Sequence, residues 1–140
     1  MKKDALVKLV KSEAKNLRTN ANKKEISKLN FESMNPCNST TCIYGLMTQY
    51  CFSDRATSLI EKCAERVYVP NLSCHLGIAS LTKTKLNGKP TINDYGRRGY
   101  NYFSPIECFI QFPANKTNGN NKRLIDYLKG KKSTLNFKPF

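Results

Sequence analysis

Ser39 to Val69, STTCIYGLMTQYCFSDRATSLIEKCAERVYV, decides the fold of this chain. Ile43, Leu46, Met47 and Tyr50 recur at i, i+3, i+4 and i+7, one face of a helix. Ser39 and Thr40 stand before it as candidate N-caps. After a break at Cys51–Phe52, Ser53 is a good N-cap for a second helix. Asp54 lies in its first turn, where a negative charge meets the positive end of the helix dipole. Ala56, Leu59, Ile60, Cys63, Ala64 and Val67 form a continuous apolar stripe, and Asp54, Arg55, Ser58, Glu61, Lys62, Glu65 and Arg66 fill the other side. The short connection predicts an αα-hairpin over about 40–67. Gly45 costs its helix roughly 1 kcal/mol against Ala, so a close approach between helices is expected there.

Toward the N-terminus, a helix is expected over about 4–18. Leu6, Val10, Ala14 and Leu17 share one side, and Lys8, Lys11, Lys15 and Arg18 fall on the opposite side. Such a ladder of cations suits phosphate contact, in which each contact displaces counterions from a nucleic acid. It equally suits a solvated helix face. Asn22 and Glu25 make a capping-box pattern for a short second helix. Phe31 and Met34 can anchor the turn that follows, and Asn35-Pro36 marks a boundary.

Toward the C-terminus, Pro70 closes the helical half. The runs 78–86 and 89–95 flank Asn87-Gly88, which predicts a β-hairpin over about 78–95, because a type I′ turn needs positive φ at both central positions. Pro90 and Lys83, Lys85 and Lys89 mark it as an edge or exposed ribbon. Ser104-Pro105-Ile106-Glu107 carries three helix-start signals, and Pro113 is expected to end that helix. Ala114 to Asn121 reads as a polar loop. Leu124, Ile125 and Leu128 mark a last helix, with Gly130 as its stop. The tail Lys131 to Phe140 is basic, with Leu135, Phe137 and Phe140 available to dock it. The expected class is therefore α+β: a single domain over 1–140, mostly helical, with a central αα-hairpin, one short β-hairpin, and C-terminal helices and a basic tail over 104–140.

The run Cys42-Ile43-Tyr44-Gly45-Leu46-Met47-Thr48, then Cys51-Phe52-Ser53-Asp54-Arg55-Ala56, then Leu59-Ile60-Glu61-Lys62-Cys63, resembles a group of short proteins encoded by tailed bacteriophages. Phe103-Ser104-Pro105-Ile106-Glu107 resembles their second shared segment. The resemblance covers about 30 of the 140 residues. Such proteins usually carry glycine where Gln49 stands here. The resemblance implies a phage-type protein acting in a bacterial cytoplasm, and it implies no activity and no site residues.

The net charge of +14 is uneven. Residues 1–30 hold nine lysines and arginines against three acids, 31–109 eight against six, and 110–140 seven against one. Two basic ends around a nearly neutral centre point to a polyanionic partner or to solubility. No apolar run approaches ~18 residues, so no membrane span is expected. Lys8 and Lys11 interrupt any signal-peptide core, so a cytoplasmic location is expected. In a reduced compartment the six cysteines should be thiols.

Cys37, Cys42, Cys51, Cys74 and His75 are the residues that could in principle ligate zinc. No C-x2-C pair exists, and a helix between Cys42 and Cys51 would hold them ~13 Å apart at 1.5 Å per residue. No metal and no cofactor are expected. His75 is the sole histidine, and Cys74 is poorly placed to form a dyad with it. No catalytic motif occurs, so a non-enzymatic role is expected. The loop Tyr95–Phe103 sets Arg97 and Arg98 between glycines and among Tyr100, Tyr102 and Phe103, which joins phosphate-pairing groups to stacking surfaces. A tight turn with its rings on the core reads equally well.

The function these features favour is a small basic accessory protein that binds nucleic acid electrostatically. The candidate contacts are Lys8, Lys11, Lys15, Arg18, Arg97, Arg98, Tyr100, Tyr102, Lys122 and Arg123, acting on the phosphate backbone. The alternatives are a factor that docks on an acidic host or phage protein, or a minor component of the phage particle. One continuous basic face would favour nucleic acid, and scattered charge around an exposed apolar patch a protein.

Overall fold

The computed structural model describes residues 2–36, 38–65, 67–70, 82–83 and 100–140. In chain order the elements are α1 (Lys3–Asn20), α2 (Lys23–Ser27), α3 (Ile43–Thr48), α4 (Asp54–Cys63), β1 (Val67–Pro70), β2 (Thr82–Lys83), β3 (Tyr100–Phe103), α5 (Pro105–Phe109), α6 (Pro113–Thr117) and α7 (Asn120–Leu128).

α1 is the helix on which the others gather. Leu6, Val10, Ala14 and Leu17 are fully buried, and α1 packs against α4, α5 and α7. Burying a Leu or Val side chain stabilises by roughly 1.5–3 kcal/mol, so this one stripe carries much of the core. α2 is fixed by a capping box: Asn22 Oδ1 accepts from the Glu25 amide, and Glu25 Oε1 accepts from the Asn22 amide.

α3 and α4 pack on each other. Cys42 caps α3, its Sγ accepting from the Gly45 amide at 3.4 Å. The helix stops at Thr48 because Gln49 takes φ 80°, a left-handed conformation that side chains disfavour. Tyr50 therefore leaves the apolar face assigned to it and lies exposed, edge-on to Phe52 at 5.3 Å. Ser53 Oγ caps α4 through the Ala56 amide at 3.1 Å. Gly45 approaches the chain entering α3, not another helix: a Cβ there would stand 2.8 Å from the Thr40 carbonyl carbon.

α4 ends at Cys63, four residues short of the expected limit, and Ala64 is already extended at φ −122°. Val67-Tyr68-Val69-Pro70 explains the stop. Two β-branched residues and an aromatic favour extended chain, and the residue before a proline avoids the helical region.

The expected α+β class with a β-hairpin over 78–95 is corrected: the described body is helical. Of 78–95 only Thr82–Lys83 is described, and it pairs with Val67–Tyr68; the Asn87-Gly88 turn lies outside the described residues. β1 also pairs with β3, from Val67 opposite Phe103 to Pro70 opposite Tyr100. These short pairings, in the order β2-β1-β3, make no layer of their own. Among the residues whose burial is described, the buried apolar ones other than Val67 and Phe103 lie on the helices and their flanks.

Ala114 to Asn121 is not a loop. Pro113 opens α6 as its first residue, where its missing N–H costs nothing. The asparagines around it fasten the C-terminal segment. Buried Asn120 donates to the Lys138 carbonyl at 2.9 Å and accepts from the Lys138 amide at 2.8 Å. Asn118 donates to the Pro139 carbonyl at 3.1 Å. Phe137 and Phe140 pack on Phe109, with centroids 4.5 and 5.2 Å away. The segment then returns along α1, with the Lys132 carbonyl bonded to Arg18 and the Phe140 carbonyl to Lys3.

Candidate nucleic-acid interface

The helical periodicity of α1 separates a buried stripe from an outer face, and Lys8, Lys11 and Lys15 stand exposed on the outer face. At spacings of three and four they are neighbours on the helix surface. Arg18, next on the ladder, is engaged. Its guanidinium lies 4.5 Å from the Tyr127 ring centroid, and one nitrogen donates to the Lys132 carbonyl at 3.2 Å. It ties the C-terminal segment to α1 while adding charge to the same face.

Lys122 is exposed and pairs with Asp126 at 3.2 Å, an i,i+4 pair of the kind worth roughly 0.3–0.5 kcal/mol. Arg123 is a strut: Nη1 donates to the Asn118 carbonyl at 2.9 Å and to Asn120 Oδ1 at 3.3 Å. Tyr100 and Tyr102 lie on β3, opposite Pro70 and Tyr68. Arg97 and Arg98 lie outside the described residues, as do Cys37, Cys74 and His75.

Sequence reading missed a second basic area. A groove of about 1060 Å³ opens between the segment Ser27–Met34 and the α6–α7 pair. Lys28 stands on one wall and Lys116, Lys122 and Lys129 on the other, all exposed, with Phe31, Met34 and Ile125 half-buried between them. Lys122, Ile125 and Lys129 share one ridge of α7, at i, i+3 and i+7, and that much was readable. Nothing local announces Lys28 and Lys116 as neighbours of that ridge.

The two basic areas meet at the end of α7. Lys129 lines the groove, and three residues on the Lys132 carbonyl is held by Arg18. A band of cations therefore runs from the groove, through Lys129, Lys131 and Lys132, to Arg18, Lys15, Lys11 and Lys8.

Burial of acids sharpens this asymmetry. Glu13, on the inner side of α1, has no exposed surface. It accepts from the Tyr44 hydroxyl at 2.5 Å and from the Ile106 amide at 2.7 Å. Desolvation raises its pKa to about 8, against the lowering effect of those hydrogen bonds. At neutral pH this carboxyl favours its protonated form and adds little negative charge. Glu107 is also buried, accepting from the Ser104 and Ile43 amides at 3.0 and 3.3 Å. Glu25 is gripped by Arg55 through two contacts of 2.7 Å, and that hydrogen bonding lowers its pKa. Asp54, Glu61 and Glu65 are exposed on or just after α4.

The thiols correct another expectation. α3 is too short to separate Cys42 from Cys51. The turn at Gln49 brings the Cys51 amide to the Ser39 carbonyl at 2.8 Å, and the two thiols share a hydrogen bond. That bond and burial push the Cys42 thiol up. Among the described residues, no group of three or more His, Cys, Asp or Glu could hold a metal ion. Among them too, no helix is long and apolar enough to cross a membrane.

Comparison with protein-family models, curated proteins and solved structures gave no match.

Proposed function

We propose that this chain is a non-enzymatic accessory protein of phage type that binds nucleic acid in the host cytoplasm, through electrostatic contact with the phosphate backbone. The observation that carries this reading is the basic band, from Lys8, Lys11 and Lys15 on α1, through Arg18 and the turn after α7, to the lysine-walled groove. Tyr50 is the one large apolar side chain exposed among the described residues, so a broad apolar docking face is not what supports a partner. Phosphate contacts position a protein without reading sequence, so binding of this kind is general and falls steeply with salt.

The test is affinity against salt concentration for the wild type and charge variants. Lys11→Glu plus Lys15→Glu should weaken binding on unrelated sequences and lower the salt slope by roughly one unit per lost contact. Lys62→Glu, at an exposed position of α4, is the control and should change little. No binding by the wild type at ~100 mM salt, or equal loss from Lys62→Glu, overturns the reading. An acidic protein recovered from cells despite nuclease treatment would then take the place of nucleic acid.

A further inference from the structure

We infer that the groove between Ser27–Met34 and α6–α7 seats a single-stranded segment of nucleic acid, with a base against Phe31 and phosphates along its lysines. The inference rests on the nucleic-acid reading and adds which form of nucleic acid is bound, and where.

Two properties of the groove select this occupant. First, lysines stand on both walls, Lys28 facing Lys116, Lys122 and Lys129, with Glu32 the one carboxylate on the lining. A polyanion lying between those walls is held from two sides, whereas the exposed ladder on α1 meets it from one. Second, Phe31 is the only aromatic ring on the lining, half-buried and packed against the core. A duplex keeps its bases stacked inside and shows mostly backbone, so it cannot bring a base to a recessed ring. An unpaired strand can, and ring-on-base stacking is the usual source of sequence-tolerant affinity for single strands. The groove's volume, about 1060 Å³, lies just above the range for small-molecule pockets, ~300–1,000 Å³. It suits several nucleotides in a row.

The experiment compares a labelled oligothymidylate of about twelve nucleotides, within the usual single-strand site sizes, with a duplex of the same length. The variant is Phe31→Leu, which keeps an apolar side chain and removes the π-face, with a thermal melt to confirm the native fold. The expected result is that the wild type prefers the single strand. Phe31→Leu should weaken single-strand binding by roughly fivefold or more, and duplex binding should change less than twofold. A photo-crosslinking strand carrying 5-bromouracil should attach within Ser27–Met34. If folded Phe31→Leu binds the single strand as the wild type does, or if crosslinks fall only on α1, this inference is overturned while duplex binding leaves the broader reading intact. If neither form binds, both fall. If an acidic peptide displaces nothing from the complex, the occupant stands as assigned; if it alone binds the groove, the occupant was a protein.

Discussion

The Tyr44 hydroxyl on α3 donates to the Glu13 carboxyl on α1 at 2.5 Å, and neither group reaches solvent. Burial holds the Glu13 proton up to about pH 8, well above the ordinary carboxylate range near 4.5. The folded state thus binds a proton that the unfolded state has released. The stability this contributes is fully present below about pH 4.5 and is lost as pH rises through about 8, by an amount on the order of a few kcal/mol. Urea denaturation at pH 5.5 and 8.5 should show the wild type weaker at the higher pH. Glu13→Gln should flatten that slope. Glu25 acts in the other direction: its pKa is lowered, so its contribution is lost only as pH falls below the ordinary carboxylate range. An unchanged slope in Glu13→Gln would sink the assignment.

Gln49 and Gly45 sit four residues apart and should respond in opposite ways. Gln49 is exposed at φ 80°. Gln49→Gly should stabilise by about 0.5–1 kcal/mol, relief of left-handed strain outweighing the extra freedom of the unfolded chain. Gly45→Ala should destabilise by roughly 1–3 kcal/mol despite the better helix propensity of alanine, because the new methyl group meets the Ser39–Thr40 backbone. Chemical denaturation of both variants decides it, and a stabilising Gly45→Ala would contradict the packing.

Asn120→Ala should loosen the C-terminal segment. It removes both bonds to Lys138 and the one to Asn115, at a cost of roughly 1–3 kcal/mol for each buried group left unpaired. Limited tryptic proteolysis should then cut at Lys131 or Lys132 sooner than in the wild type. Equal cleavage rates would mean that the aromatic packing of Phe137 and Phe140 holds the segment alone.

Thiol reactivity should follow burial. Cys42, Cys63 and Cys108 are buried, and Cys51 is half-exposed. Burial raises Cys63 to about 11 and Cys108 well above its ordinary value, so little thiolate is available at either. Brief alkylation of the native protein should label Cys51 ahead of these three. Rapid labelling of Cys108 would show that α5 opens.

Much of the helical plan was legible because apolar spacing is a local property. Leu6, Val10, Ala14 and Leu17 announce α1, and Ser53 and Ser104 announce the starts of α4 and α5. What escaped depended on distance in the chain. Glu13 lies three residues after Val10 and four before Leu17, squarely on the buried stripe, but its charge argued for the surface until Tyr44 and Ile106 were there to receive it. Val67 fits the stripe of α4 as well as it fits a strand, and pairing with Phe103 settled the choice. Cys42 and Cys51 looked separated because the helix between them was drawn too long. Of the binding candidates, the lysines of α1 were readable from spacing, whereas the groove needs Lys28 and Lys116, 88 positions apart in the sequence, to face one ravine.

The bond from the Ile106 amide to Glu13 spans 93 residues, and that span has a meaning during synthesis. At ~5–20 residues per second, the ribosome finishes α1 roughly 5–20 s before it makes the donor that α1 awaits. Through that interval the nascent helix carries a carboxyl suited to an interior that does not yet exist. It stays ionised and open to water, and only the arrival of α5 closes the domain. Chains stalled before Ile106 should leave α1 open to protease, and chains stalled well beyond Phe140 should protect it.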